Sequence, residues 1–501
     1  MDSDAETNVG MKAAQVGFTE AVLNKSFFTV DVKSTDCLYI LPAKIPDAKD
    51  FSVGRFDTAL ELSDHLSHLF SDVKNIGHKR AGTTNLYIRG SKSRSALKSI
   101  PVGLIIIDEL EEMNQKNIPL ALERTAGQIE KQVWMISTPR IENDGIHKQF
   151  KLSTQEQFFF KCPHCDKYVS FEFPDSIEIT ATEENDPKID GTFLKCRFCK
   201  SKLLHEEKPL YLAKGIWVPE YADRVIRGFH ISQMYSSTVS PVALAKSYIR
   251  AQYDPTEEQE FYNSKLGKPH VVGSGQITDE QIRACQSDFR NHSMPMRTRL
   301  VTMGIDVGRY LHVEIDEWQP PLVYTNSDDF LVLSRARAVC ITKCQHFEEL
   351  DQLVRNYGVN FCVIDAHPER RKAYEFTCRF PNTKMCFYNQ GISGKQIHEW
   401  SDENTEPGIG VDRTSWLDLS LGRVKRGRDF LALPQDTPEE YKAHLKALVR
   451  IYERDAGGNP IGRYVNGNND DHYAHARNYS EIALQLAVSL SASQDITESI
   501  L

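Results

Sequence analysis

Two Cys-x-x-Cys pairs, Cys162-Pro-His-Cys165 and Cys196-Arg-Phe-Cys199, stand 30 residues apart in the chain. Each pair turns two thiolates to one side of a tight knuckle, and two knuckles complete a tetrahedral four-cysteine site of the zinc-ribbon kind. Such a site has no open position, so the Zn2+ it would take is structural, holding an inserted module rigid or presenting it to DNA. His164 could substitute for a thiolate but reads as a bystander. The other seven of the eleven cysteines are scattered. An odd total with scattered singles argues against a disulfide framework and for a reducing cytosol.

A second chemistry lies upstream. In LIIIDEL (104–110) an apolar, strand-like run ends in Asp108 and Glu109. That is the pattern of a Walker B strand: the Asp positions Mg2+ and the following Glu polarises the attacking water. Ahead of it stands KAAQVGFTE (12–20), which departs from the usual GxxxxGK[ST] phosphate loop. Gly17 and Thr19 fall in place, Phe18 stands where lysine belongs, and Lys12 occupies the first glycine position. A lysine there can reach the β- and γ-phosphates of ATP from the other side. The backbone through Gln15, Val16 and Gly17 would cradle the phosphates, and the Thr19 hydroxyl would hold Mg2+.

A third set is spread over the second half. Asp306 ends VTMGID, Asp365 ends FCVID, and Asp471 lies in NDDHYAHA at the start of the last helical run, with Asp470 as its rival. Three acids from distant positions suit an RNase H-like fold, in which they hold two Mg2+ or Mn2+ ions for cutting a phosphodiester. Carboxylates match these hard cations. His472 and His475 could support the ligands. Arg370, Arg371 and Lys372 either meet DNA phosphates or form a solvated helix start.

These residues need scaffolds. A chain of 501 residues exceeds one ordinary core. Hydrophobic residues at 40% and charged residues at 26% fit a soluble globular protein. No apolar run reaches bilayer length, and the N-terminus lacks the pattern of a signal peptide. The net charge of −9 neither supports nor excludes DNA as substrate. Short β-like runs at Cys37–Leu41, 85–88, 104–107 and 133–136 alternate with helical stretches, so a parallel α/β sheet is expected. The division predicted is an α/β P-loop ATPase domain of the ASCE type over 1–154, a zinc-ribbon insertion over 155–215, a mainly helical linker over 216–294, and an RNase H-like nuclease over 295–501.

The ordered motifs resemble one family. Lysine-first loops of the form K-[AS]-A-[QR]-V-G-aromatic-[ST] look like those of lambda-like phage terminase large subunits. Ser137-Thr138-Pro139, after the strand VWMI, resembles the family's coupling motif, with Thr138 as candidate γ-phosphate sensor. GFHISQMYS (228–236), FYNSKLGKPH (261–270), VDRT around Arg413-Thr414 and the DH-x-x-HA form, which favours Asp471, match it as well. The resemblance implies ATP-driven translocation of viral double-stranded DNA into a prohead and metal-dependent cutting of concatemers in the host cytoplasm, with no membrane partner. It also implies a small terminase subunit, docking on the portal through the tail SASQDITESIL, and a self-associated ring whose arginine finger would be Arg94 in preference to Arg80 or Arg89. The family carries residues ahead of its phosphate loop, whereas this loop begins at residue 12. The alternative reading is therefore an N-terminally truncated, ATPase-impaired prophage remnant acting only as a nuclease or DNA-binding protein. A helicase-nuclease of another kind would need a second set of helicase motifs, which the sequence lacks.

Overall fold

A computed structural model describes residues 3–498 except 72, 99, 274, 322, 324, 325, 390, 400–406, 456 and 468. The chain forms two compact units, one of residues up to 272 with 452–460, the other of 273–451 with 461 onward.

The first unit is built on a sheet whose central strands are β1 (Thr7–Lys12), β2 (Cys37–Leu41), β3 (Thr84–Gly90), β4 (Leu104–Asp108), β5 (Gln132–Ser137), β6 (Glu156–Lys161) and β7 (Arg227–Ile231). Their order is β6-β7-β1-β5-β4-β2-β3, and every neighbouring pair is parallel. One strand, β5, separates β1 from β4. That insertion between the loop strand and the acidic strand is the ASCE arrangement. Strands buried on both faces have no polar side to alternate with, which is why β4 is an unbroken LIII run. One face packs Tyr39, Leu104 and Ile106 against Val22, Leu23 and Phe27 of α1 (Phe18–Asp31). The other packs Leu38, Ile105 and Ile107 against Ile118 and, from α2 (Gly145–Lys151), Ile146.

The cysteine pairs sit beside β6, with a small antiparallel sheet of Ile177–Glu178, Phe193–Lys195 and Lys202–Leu203. Residues 216–294, expected as a mainly helical linker, do include α3 (Pro241–Ala251). They also supply β7, which pairs directly with β1. The buried GFH run of that strand belongs to the ATPase-like sheet, a pairing that only the parallel register reveals.

The second unit holds β8 (Leu300–Val307), β9 (Leu311–Gln319), β10 (Arg335–Cys344), β11 (Phe361–Asp365), β12 (Thr383–Tyr388), β13 (Gly408–Val411) and β14 (Leu431–Pro434). The order β14-β10-β9-β8-β11-β12-β13 has β8, β9 and β10 antiparallel, with β11 and β12 running parallel to β8. Counting from β8, the core order 3-2-1-4-5 is that of an RNase H-like sheet. Helices α4 (Arg413–Arg426), α5 (Glu439–Ala447) and α6 (His472–Glu498) follow. α6 lies close against β8 because Gly304 has no side chain: a Cβ there would fall on the backbone of Ala476 and Ser480. A hydroxyl contact, Thr302 Oγ1 to Ser480 Oγ at 2.7 Å, fixes the same approach.

Under α6 runs a fully buried charge network. Arg477 pairs with Glu314 and lies 3.6 Å from Asp316, while Arg423 pairs with Glu481. Three acids face two arginines, and burial, with Asp316 beside it, pushes Glu314 up to about 8. One shared proton brings such a cluster closer to neutrality.

Candidate functional site

The first site lies at the C-terminal ends of β1, β4 and β5. The loop after β1 needs left-handed backbone at two points, Gln15 (φ 56°) and Gly17 (φ 76°), before α1 begins. Its early amides are tied down: Ala13 N donates to Ile231 O and Ala14 N to Ser264 O, both at 2.8 Å. Gln233 Nε2 donates to Ala14 O. Gly267 is obligatory beneath them, because a Cβ there would stand 2.7 Å from Ala13 N. The segments 228–236 and 261–270 thus brace the phosphate loop from below, a role that no local sequence signal announces. Phe18 packs inward, its ring 6.4 Å from that of Trp134, and Gly10 in β1 makes room for it. Phe18 is an anchor, so the lysine must come from elsewhere.

The candidate for that lysine is Lys12. Its Nζ donates to Glu109 Oε1 at 2.9 Å while its side chain is buried. Glu109 itself sits in left-handed backbone (φ 64°), a conformation that costs a non-glycine residue energy and is common at reactive sites. Asp108 is buried; its Oδ2 accepts from Tyr39 Oη at 2.7 Å. Burial, then the neighbouring Glu109, pushes its carboxyl up to about 6, opposed by Tyr39, Lys12 and the Thr19 hydroxyl. Asp108 Oδ1 is buried without a hydrogen-bond partner among the described residues. An orphaned carboxylate oxygen beside a threonine hydroxyl suits a divalent cation.

At the end of β5, Ser137 Oγ accepts from Glu111 N at 3.2 Å, and Glu111 accepts from Ile146 N at 2.9 Å at the start of α2. Ser137 is therefore wired to the turn after Glu109 and, through Glu111, to α2. Of the arginines considered, Arg80 and Arg89 donate to the backbone carbonyls of Gly82 and Gly77, and Arg94 is exposed.

In the cysteine cluster, Cys162 Sγ is 3.9 Å from Cys199 Sγ, and Cys165 Sγ is 3.9 Å from Cys196 Sγ. All four sulfurs lie within 4.8 Å of one another. Zn–S bonds near 2.3 Å put tetrahedral sulfurs about 3.8 Å apart, so the set fits zinc. The knuckles share one backbone form: Asp166 N donates to Cys162 O and Lys200 N to Cys196 O, each donor with φ near 60°. His164 turns away to Lys202 O.

In the second unit, β8 and β11 are parallel neighbours with Ile305 opposite Ile364. The next residues, Asp306 and Asp365, therefore end their strands side by side. Burial, then electrostatics that include Asp306, pushes Asp365 up to about 7. Across the antiparallel pairing Asp306 faces His312 of β9. α6 presents His472, whose Nδ1 lies 2.8 Å from Asp306 Oδ2. Asp471, one residue earlier, turns its carboxylate elsewhere: it accepts from Asn466 at 3.2 Å and lies 3.4 Å from His475 and 3.9 Å from Arg413. Burial would raise Asp471, but its hydrogen bond with His475 and the nearby Arg413 outweigh it and hold the carboxyl below its usual value. Asp470 is exposed. Asp306 and Asp365 thus share one end of the sheet, Asp471 stands just ahead of α6 with its carboxylate toward Asn466, His475 and Arg413, and the residue beside Asp306 is a histidine. Arg371 and Lys372 pair with Glu375 and Glu369 on or beside their own helix.

Residues 1–217 match the family described as phage terminase large subunit gpA, ATPase domain, and residues 226–321 match terminase large subunit gpA, endonuclease domain. This chain belongs to the gpA family of phage terminase large subunits. It is an enzyme with an ATPase and an endonuclease domain, using nucleotide and divalent metal. A terminase large subunit of Enterobacteria phage P21 is 20% identical over 479 residues, covering 87% of this chain and 71% of that protein. The large terminase of bacteriophage HK97 is similar in structure at a TM-score of 0.47 with 12% identity, over 96% of this chain and 91% of that one. The magnesium-bound large terminase nuclease of thermophilic phage G20c gives 0.26 at 12% identity, over 42% and 98%. Membership rests on the two domain matches and the P21 relative, not on these structural likenesses. Among the described residues no helix of this terminase is long and apolar enough to cross a membrane.

Proposed function

We propose that this terminase large subunit hydrolyses ATP in its first unit to drive viral double-stranded DNA into a prohead, and cuts concatemeric DNA with its second. Lys12, Thr19 and the Gln15–Val16–Gly17 backbone hold the phosphates, Asp108 the Mg2+, and Glu109 orients the attacking water. Ser137 and Thr138 pass the change to α2 through Glu111. In the second unit Asp306, Asp365 and Asp471 serve metal-dependent cleavage, where bound Mg2+ or Mn2+ supplies an activated water and stabilises the leaving oxygen. Zn2+ on Cys162, Cys165, Cys196 and Cys199 stiffens the insertion. We assign the first unit, whose sheet includes β6 and β7, to the ATPase with the zinc module inserted in it, and the second unit to the nuclease. The partners are duplex DNA, a small terminase subunit, the portal of the prohead and further copies in a ring, in the host cytoplasm. The tail expected to reach the portal lies partly outside the described residues.

The observation that carries this reading is the pairing of Asp108 and Glu109 with Lys12 and Thr19 in one sheet, while Asp306 and Asp365 end adjacent strands of another. Two separate acid sites make two separable activities. With Asp306→Ala or Asp365→Ala, plasmid cleavage disappears and DNA-stimulated ATP hydrolysis remains; with Glu109→Gln the reverse holds. Equal loss of both activities in each variant sinks the reading. Elemental analysis of the intact chain gives one zinc.

A further inference from the structure

The cluster at Asp306 is not made of carboxylates alone. Among the described residues, one ligand atom each from Asp306, His312 and His472 lie within 4.8 Å of one another. They come from three elements, β8, β9 and α6. Register places His312 directly across from Asp306, and the Gly304 contact places His472. The two imidazoles stack face to face, their centroids 4.7 Å apart with 11° between the planes. His312 Nδ1 is buried and has no hydrogen-bond partner among the described residues, a costly state for a polar atom. Its Nε2 lies 3.8 Å from Glu440, which Lys343 also holds. The neighbouring His444 is engaged instead with Tyr473 N.

We propose that His312 and His472 bind a divalent cation directly together with Asp306, and that this mixed imidazole–carboxylate set selects Mn2+ over Mg2+. The inference deepens the nuclease reading and rests on it. The separation of 2.8 Å between His472 Nδ1 and Asp306 Oδ2 is close to the edge of a coordination octahedron, about 3 Å for bonds near 2.1 Å. Imidazole nitrogen suits transition cations, whereas Mg2+ takes oxygen and keeps its waters. An all-carboxylate site would make no such distinction through its ligands. Here two of the three donors are nitrogens, so the preference is written into the donor set.

The test uses the full chain loaded with Mn2+ alone, without nucleotide, read by electron spin-echo modulation of the bound ion. Coupling to 14N is expected, changing to 15N coupling after histidine labelling and vanishing in Asp306→Ala. Mn2+ should bind at least about tenfold more tightly than Mg2+, and His312→Phe, which keeps a stacking ring, should shrink that ratio. His472→Phe should halve the nitrogen modulation. Labelling the unaltered protein decides the matter even where a substituted chain does not fold. Bound Mn2+ that shows no nitrogen coupling overturns the inference while leaving a carboxylate nuclease in place. Absence of both Mn2+ binding and DNA cleavage overturns the inference and the nuclease reading together.

Discussion

The two acid sites handle charge in opposite ways. At the nucleotide site the glutamate proposed as catalytic is paired, with Lys12 Nζ on Glu109 and Tyr39 on Asp108. The pocket awaits a ligand that brings its own phosphates and cation. At the nuclease end Asp306 meets a histidine, and burial lifts Asp365 to about 7. That site must collect cations from solution, and its groups are crowded together by packing against a single helix. The difference teaches that one site is made by a loop and the other by a helix–strand contact. Damage should therefore spread differently from each.

The largest expected effect follows from Gly304. Gly304→Ala adds a methyl group where the Ala476 and Ser480 backbone stands, so α6 must shift and carry Asp471 and His472 with it. Cleavage should be lost while ATP hydrolysis, built on the other sheet, continues; unchanged cleavage would mean that α6 has slack. Next comes Arg477→Ala, which strands Glu314 and Asp316 in the core of the second unit. Removing one partner of a buried charge cluster costs about 3–5 kcal/mol. Calorimetry should show the second unit's transition moving down and the first unit's unmoved.

The smallest effect belongs to the first unit. His230 on β7 is buried beside Leu266 O, and burial lowers its imidazole to about 4 from an ordinary 6.5. The folded state holds it neutral, so its share of stability is present above about 6.5 and drains away as pH falls toward 4. The thermal midpoint of the first unit should fall across that window. His230→Gln should flatten the slope, and an unchanged slope would assign it to other groups.

Legibility in the sequence follows the same division. The phosphate loop, the Asp108-Glu109 pair and the Cys-x-x-Cys pairs are contiguous, and short spacing is what a linear reading resolves. β2 and β4 were legible as apolar runs because burial on both faces leaves no polar residues in them. Tyr39, Gln233 and Gly267 were not, because they reach the loop through pairings of distant segments. His312 did leave a trace: in LHVEIDEW, His312, Glu314 and Asp316 alternate with apolar residues, marking one polar face of a strand. What hid its meaning is that this face is buried under α6, where charges are not expected. At the helix start the limit is angular. Adjacent residues on a helix point about 100° apart, so Asp471 and His472 cannot be ranked until the helix is docked.

The contact between Lys12 and Glu109 carries one more implication. A single ammonium group cannot satisfy a carboxylate and a triphosphate at once. On the proposed roles, nucleotide that draws the lysine away would release the glutamate at the moment a water molecule needs orienting, and until then the ion pair would latch the engine and hold down its idle consumption of fuel.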